Sequence, residues 1–333
     1  MRGKSCGLGE AYAAYFPIGT AIGNVRMSGV EKEVVCKHFT SLTAENGMKF
    51  EAVQPREGEF DFSYGDALAA FAQSNHQKLR GHTLVWHGQT PSWVFVDENG
   101  EPASRELALR RMEKHIDTVV RHFSSSVYCW DVVNEAIEDK TDAVLRDSPW
   151  LRCIGEDYIG YAFELAHRAD PKCALFYNDY NNEMPEKRKK TVGLLRQLKA
   201  ANIPLDGVGI QGHFNIRDEA LLDNMKASLD AYAALGLQIQ ITELDVSMFA
   251  FEDHRRDILS PTVEMLERQR EVYRQLFALL REYREVVTGV TFWGVSDAQS
   301  WKNGFPVMNR SDWPLLFDEH FQPKGCFTDV TDF

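Results

Sequence analysis

The sequence predicts an α/β fold, a single (β/α)8 barrel, and three observations carry that prediction. Eight short apolar, β-branched stretches recur along the 333 residues. Segments of helical period lie between most of them, and unusual polar residues gather where the stretches end. Strands alternating with helices form parallel βαβ units; eight such units close a barrel whose site lies at the C-terminal strand ends. Length alone suggests about two domains, but barrels of this type reach this size as one.

The eight stretches are "PIGTAIG" (17–23), "SLTAEN" (41–46), "KLRGHTLVWH" (78–87), "VYCWDVVNE" (127–135), "ALFYNDYN" (174–181), "DGVGIQGHF" (206–214), "LQIQITELD" (237–245) and "GVTFWGVSD" (289–297). Three helices between them carry clear signals. "SRELALRRMEKHIDTVVRHF" (104–123) opens on Ser104 and repeats Leu109, Met112, Ile116, Val119 and Val120 at helical spacing. "EDYIGYAFELAHRAD" (156–170) stops before Pro171, and "PTVEMLERQREVYRQLFALLREY" (261–283) starts on a proline. An open doubly wound sheet is the other topology for this pattern. The first strand lacks the G-x-G-x-x-G turn or P-loop such a sheet carries when it binds nucleotides.

Composition removes several function classes. A net charge of −12 offers no basic block to neutralise phosphates, so neither nucleic acid nor an anionic membrane surface is an expected partner. No run approaches the ~18 apolar residues of a membrane span, and the N-terminus has no apolar core of signal-peptide length. Six cysteines, Cys6, Cys36, Cys129, Cys153, Cys173 and Cys326, are widely spaced and read mostly as buried reduced thiols. Together these features lead us to expect a cytoplasmic protein.

Strand ends hold the chemistry. Glu45 and Asn46 follow the second strand, His82 to His87 lie on the third, and Asn134 and Glu135 end the fourth. Tyr180 follows the fifth, Gln211 and His213 the sixth, Glu243 and Asp245 the seventh, and Trp293 the eighth. Glu135 and Glu243 each end an apolar strand, and those two strands face one another across a barrel mouth. Two carboxylates across a cleft are the working parts of glycoside hydrolysis: one protonates the leaving oxygen, the other attacks or activates water. Asp131 lies deeper and reads as a structural hydrogen-bonder, whereas Glu138 and Asp139 read as solvated loop acids. The histidines of "HTLVWH" point to opposite faces of a strand, so no metal site is expected there.

Six motifs in chain order, "TAENGMKFE", "GHTLVWH", "WDVVNEA", "YNDYN", "ITELDVS" and "FWGVSD", make the chain resemble glycoside hydrolase family 10, the β-1,4-xylanase family. The resemblance spans about residue 15 to "WPLLFDEHFQPK" near 324. It implies one catalytic domain over 1–333 with the barrel at roughly 15–330, no cofactor, and an endo-β-1,4-xylanase acting with retention. Many members of that family are exported; the absence of an export signal here departs from them and leads us to expect an intracellular enzyme acting on soluble xylan-derived oligosaccharides. It implies Glu135 as acid/base and Glu243 as nucleophile, with Asn134 on the sugar 2-hydroxyl. By the same resemblance His213 orients Glu243 and is backed by Asp245. Glu45, Asn46, Lys49, His82, Trp86 and Gln89 match positions on the non-reducing side of the cut. Gln211 and Tyr180 match positions at the cut and on the leaving side, and Trp293 and Trp301 match covers of the glycone sugars. His82 and Trp86, four apart on one strand, are expected to point the same way, and His87 to serve behind them or in the core. No carbohydrate-binding module is expected, and Lys302 and Arg310 read as solvated loop cations. A β-1,4-glucan hydrolase of the same clan and a sugar-binding protein with a decayed site are the alternatives.

Overall fold

The computed structural model describes residues 7–333. Cys6 and the two early basic residues, Arg2 and Lys4, lie outside the described residues. The strands are β1 (Ile18–Ile22), β2 (Ser41–Ala44), β3 (Lys78–Trp86), β4 (Val127–Asn134), β5 (Ala174–Asp179), β6 (Gly207–Ile210), β7 (His213–Asn215), β8 (Gln238–Ser247) and β9 (Val287–Phe292). Their order is β6-β5-β4-β3-β2-β1-β9-β8, and β6 also pairs with β8, which closes an eight-stranded barrel. Every pairing is parallel. The expected (β/α)8 barrel is the fold.

Both faces of the strands are covered, so they read as near-continuous apolar runs rather than alternating ones. β1 and β2 are buried at every position, and β4 at all but Tyr128. The helix Arg105–Phe123 forms where the sequence announces it. Ser104 caps it, its hydroxyl accepting from the Leu107 N–H, a contact worth about 1 kcal/mol. Its buried stripe is Ala108, Met112, His115, Ile116, Val119, Val120 and Phe123; Leu109 is only partly covered. Each large apolar side chain on that stripe contributes roughly 1.5–3 kcal/mol by leaving water.

Two boundaries differ from expectation. The helix expected to start on Pro261 runs Val263–Glu282, because Thr262 supplies the cap by accepting from the Met265 N–H. The sixth stretch is two strands: β6 stops at Ile210, Gly212 takes φ +82, and β7 pairs separately with the end of β8. His213 therefore sits on β7, aligned with Asp245, rather than just past β6.

The barrel interior holds charge below the mouth. Arg80 on β3 makes a two-pronged contact with Asp131 on β4, and its Nε donates to Gln240 Oε1 on β8 at 2.8 Å. Both charged side chains are almost completely buried. Asp131 makes the buried hydrogen bonds expected of it, whereas its partner Arg80 is a buried charge that the strand-end pattern did not single out. Of the described cysteines all five are free; Cys129, Cys173 and Cys326 are buried, Cys153 is partly covered and Cys36 is exposed. Among the described residues no helix is long and apolar enough to cross a membrane.

Candidate active site

β4 ends at Asn134, and the next residue, Glu135, takes a left-handed φ of +57. A non-glycine residue held there stores strain of order 1–3 kcal/mol and needs its surroundings to hold it. They do: its N–H donates to the Asn178 carbonyl at 2.9 Å, and Arg146 Nε donates to its own carbonyl at 3.1 Å. The turn brings its carboxyl over the mouth, where Trp86 Nε1 donates to Oε2 at 2.8 Å and Gln211 Nε2 to Oε1 at 2.9 Å.

Glu243 stands on β8, almost fully buried, with Asn178 Nδ2 donating to Oε1 at 3.0 Å and His213 Nε2 lying 3.3 Å from Oε2. Asn178 Nδ2 also reaches Asn134 Oδ1 at 2.8 Å, and Gln211 Nε2 lies 3.4 Å from the same oxygen. Glu135 and Glu243 thus belong to one network of side-chain amides.

The two carboxylates have different surroundings. Burial pushes the Glu243 carboxyl up, but the hydrogen bond from His213 and the charges of His82, His213 and Lys49 outweigh it and leave it below the usual glutamate value. Burial presses His213 down, yet the Asp245 carboxylate and its hydrogen bonds to Asp245 and Glu243 prevail, pushing the imidazole up to about 9. Asp245 in turn is held low against its burial by His213, Lys302 and the Trp301 indole, which donates to Oδ2 at 2.8 Å. At neutral pH an imidazolium therefore lies between two carboxylates. Glu135 meets only neutral donors and is less buried than Glu243.

The other expected residues are held around the two carboxylates by side-chain contacts. Lys49 Nζ donates to Asn46 Oδ1 at 2.9 Å and Gln89 Oε1 at 2.8 Å, and lies 4.9 Å from the Trp86 ring centre. Burial lowers the Lys49 ammonium despite Glu243, Glu45 and Glu135 around it, and burial raises Glu45 against the pull of Lys49. His82 Nδ1 sits 2.8 Å from Asp131 Oδ2, with its ring edge-on to Trp293 at 5.3 Å. Trp301 packs 4.8 Å from the His213 ring. Strand parity is a poor guide on β3, whose register shifts between His82 and Val85. His82 and Trp86 nonetheless both serve this mouth, and His87 lies behind Trp86 with its ring edge-on to it at 5.7 Å.

Tyr180 lies on the far side of Glu135. Arg146 donates to its hydroxyl at 2.7 Å, and that hydroxyl donates to Asp139 Oδ2 at 3.0 Å. Asp139 is exposed, as expected of a loop acid, but it is also tied to Tyr180 and Arg146, and its carboxyl is held low by Lys187, Tyr180 and Arg146 against its partial burial. Lys302 and Arg310, by contrast, are not solvated. Lys302 is buried 3.9 Å from Asp245 Oδ1, and Arg310 is buried over the Phe249 ring at 4.0 Å. Both loop cations fold inward to carboxylate, carbonyl and aromatic partners that loop polarity does not reveal.

Asn178 is the main residue that sequence reasoning missed. A signal existed: Asn134 ends β4, Asn178 lies one residue before the end of the neighbouring β5, and they are direct register partners. Arg146 had none, since it reaches the site from a loop. No group of three or more His, Cys, Asp or Glu suited to a metal occurs among the described residues.

The family model described as Glycosyl hydrolase family 10 matches residues 7–333. The chain belongs to glycosyl hydrolase family 10. It is 52% identical over 326 residues to endo-1,4-beta-xylanase A of Caldicellulosiruptor saccharolyticus, covering 98% of this chain and 95% of that one. Among solved structures, an endo-1,4-beta-xylanase from Caldicellulosiruptor owensensis superposes with a TM-score of 0.97 at 52% identity, covering 98% of this chain and all of the other. A mutant structure in complex with xylotriose also scores 0.97, at 51% identity, covering 98% and 99%.

Proposed function

We propose that this family 10 chain is an endo-1,4-β-xylanase that cuts internal bonds of xylan fragments and xylo-oligosaccharides by double displacement with retention. The observation that carries this reading is the pair Glu135 and Glu243, joined through Asn134, Asn178 and Gln211 yet placed in opposite surroundings. Family membership and the xylanases among its relatives support the sugar class.

Glu243, kept charged by the His213 imidazolium, attacks the anomeric carbon while Glu135 gives its proton to the departing glycosidic oxygen. Asn134, fixed by Asn178, meets the sugar 2-hydroxyl, a contact that strengthens as the ring becomes oxocarbenium-like. Water then enters where the leaving sugar stood. Glu135 takes a proton from it, the oxygen bonds to the anomeric carbon, and the Glu243 ester bond breaks. Trp86, Gln211 and the strained backbone at residue 135 keep the acid/base in reach of both oxygens. Lys49, His82 and the Glu45–Asn46–Gln89 cluster hold sugars before the cut, under Trp293 and Trp301, and Tyr180 carries the sugar after it.

We place the enzyme in the cytoplasm. Free thiols at all five described cysteines, one of them exposed, suit a reducing compartment, where soluble xylo-oligosaccharides are the substrates.

Leaving-group dependence tests the assignment. Glu135→Ala should keep much of its kcat/KM on an aryl xylobioside with a very acidic phenol, whose departure needs no proton, with kcat lowered because water then lacks its base, and should lose activity on xylohexaose. Glu243→Ala should be inactive on both. Equal losses for both variants on the activated substrate would remove the division of roles. Wild-type rates on aryl xylobioside well above those on aryl cellobioside are expected, and the reverse would overturn the sugar assignment.

A further inference from the structure

Tyr177 and Asp179 stand two apart on β5, on the strand face opposite to their neighbour Asn178, whose amide reaches Glu243 in the mouth. Both are fully buried. They meet the acid/base from behind, through its backbone. The Tyr177 phenol oxygen accepts the N–H groups of Ala136 and Ile137, both at 3.1 Å, the two residues that follow Glu135. A phenol has one proton to give and two lone pairs to fill, and this one gives its proton to Asp179 Oδ2. The hydroxyl is thus fully used on the turn and its support.

Asp179 is itself held. Its Oδ1 accepts the Tyr180 N–H at 2.9 Å and lies 2.8 Å from Lys187 Nζ, on the helix Pro185–Ala200. That ammonium is buried and sits 3.5 Å from the Tyr180 ring centre. Burial pushes the Asp179 carboxyl up to about 6 against the pull of Lys187, so at neutral pH it is a carboxylate. A carboxylate only accepts, which fixes the phenol proton on its side and leaves both phenol lone pairs for the two N–H groups.

The chain from 135 to 137 is pinned at every polar group but one. The Glu135 N–H goes to the Asn178 carbonyl, the Glu135 carbonyl takes Arg146 Nε, and the Ala136 carbonyl takes the Arg146 N–H at 2.8 Å. Tyr177 takes the next two N–H groups, with Asp179 Oδ2 3.4 Å from the second. Without the phenol two buried donors lose their acceptor beside a non-glycine residue at φ +57, where the backbone most needs its surroundings. Trp86 and Gln211 hold the Glu135 carboxyl, and Tyr177 holds the chain from which it hangs.

We propose that Tyr177 is a positioning residue for the acid/base: its phenol, fixed by Asp179 and Lys187, holds the turn that aims the Glu135 carboxyl at the glycosidic oxygen. The inference rests on the xylanase reading above and extends it from the groups that touch Glu135 to those that set its backbone.

The test is kcat/KM for a series of aryl xylobiosides whose phenols run from very acidic to weakly acidic, in wild type and Tyr177→Phe. The acidic phenol leaves without a proton and reports on Glu243, whereas the weakly acidic one needs Glu135. Tyr177→Phe should stay near wild type with the most acidic phenol. It should fall roughly 10- to 100-fold with the least acidic, since misplacing a catalytic group by about 1 Å can cost about 100-fold. Asp179→Asn keeps the shape but weakens the acceptor of the phenol proton, so it should show the same tilt at smaller size. That variant carries the test if Tyr177→Phe does not fold. Equal losses across the series would make Tyr177 a support of the fold alone, and no loss with any phenol would show that the turn holds without it. Either result overturns the proposal and leaves the xylanase reading intact. Wild-type inactivity on the whole series would remove that reading, and this inference with it.

Discussion

His213 Nδ1 lies 2.9 Å from Asp245 Oδ2, on a residue that β7 aligns directly with Asp245 on β8. Its other nitrogen faces Glu243, two positions earlier on the same strand face. One imidazole therefore couples the proposed nucleophile to a fully buried aspartate. Both contacts are satisfied together only when both ring nitrogens carry protons.

The first prediction concerns this proton. The folded value of about 9 exceeds the ordinary 6.5, so the stabilisation from charged His213 is full below pH 6.5 and is lost as pH rises through 9. Nitrogen NMR of the ring should show a doubly protonated His213 at pH 7 that titrates near 9. His213→Asn removes a positive partner from Glu243, so its carboxyl should rise and the acidic limb of kcat/KM move to higher pH. An imidazole that titrates at or below 6.5, or an unmoved limb, contradicts the coupling.

Asn178 carries the second prediction. Its amide bridges Asn134 and Glu243, and its oxygen accepts from Thr242 Oγ1 at 2.6 Å. A hydrogen bond to a charged group is worth about 1.5–3 kcal/mol, so Asn178→Ala should lower kcat on xylohexaose by roughly 10- to 100-fold, with a smaller change in KM. Steady-state kinetics in which the whole loss falls on KM would show that Asn178 only binds substrate.

Stability below the site gives a third. Asp131→Ala leaves Arg80 buried without its carboxylate and should cost about 3–5 kcal/mol in denaturant unfolding. Arg80→Met with Asp131→Leu should recover most of that, because the pair is removed together. A loss for Asp131→Ala below ~1 kcal/mol, the range of exposed pairs, would mean that water reaches Arg80.

The barrel and the groups at its mouth were legible because parallel strands covered on both faces must be apolar runs, so acids at their ends stand out. Glu135 and Glu243 were visible for that reason. The surroundings that distinguish them were less so. Asn178 looked like one more residue of "YNDYN", since its value lies in register with Asn134. Lys302 and Arg310 were misread as solvated because loop polarity says nothing about inward folding, and both are buried against partners, while the exposed Asp139 gained contacts to Tyr180 and Arg146 that its loop position did not announce. The split of β6 from β7 depends on Gly212 and a local turn that hydrophobic pattern does not record.

The central claim is that Glu243 attacks the sugar and Glu135 manages the proton, with retention. A proton-NMR time course of the protein with xylohexaose, read on the anomeric signals in the first minutes, tests it most directly. The account predicts β-anomers of short products appearing first, with α-anomers following by mutarotation. Early α-anomer would mean a single inverting displacement and would take the nucleophile's role away from Glu243.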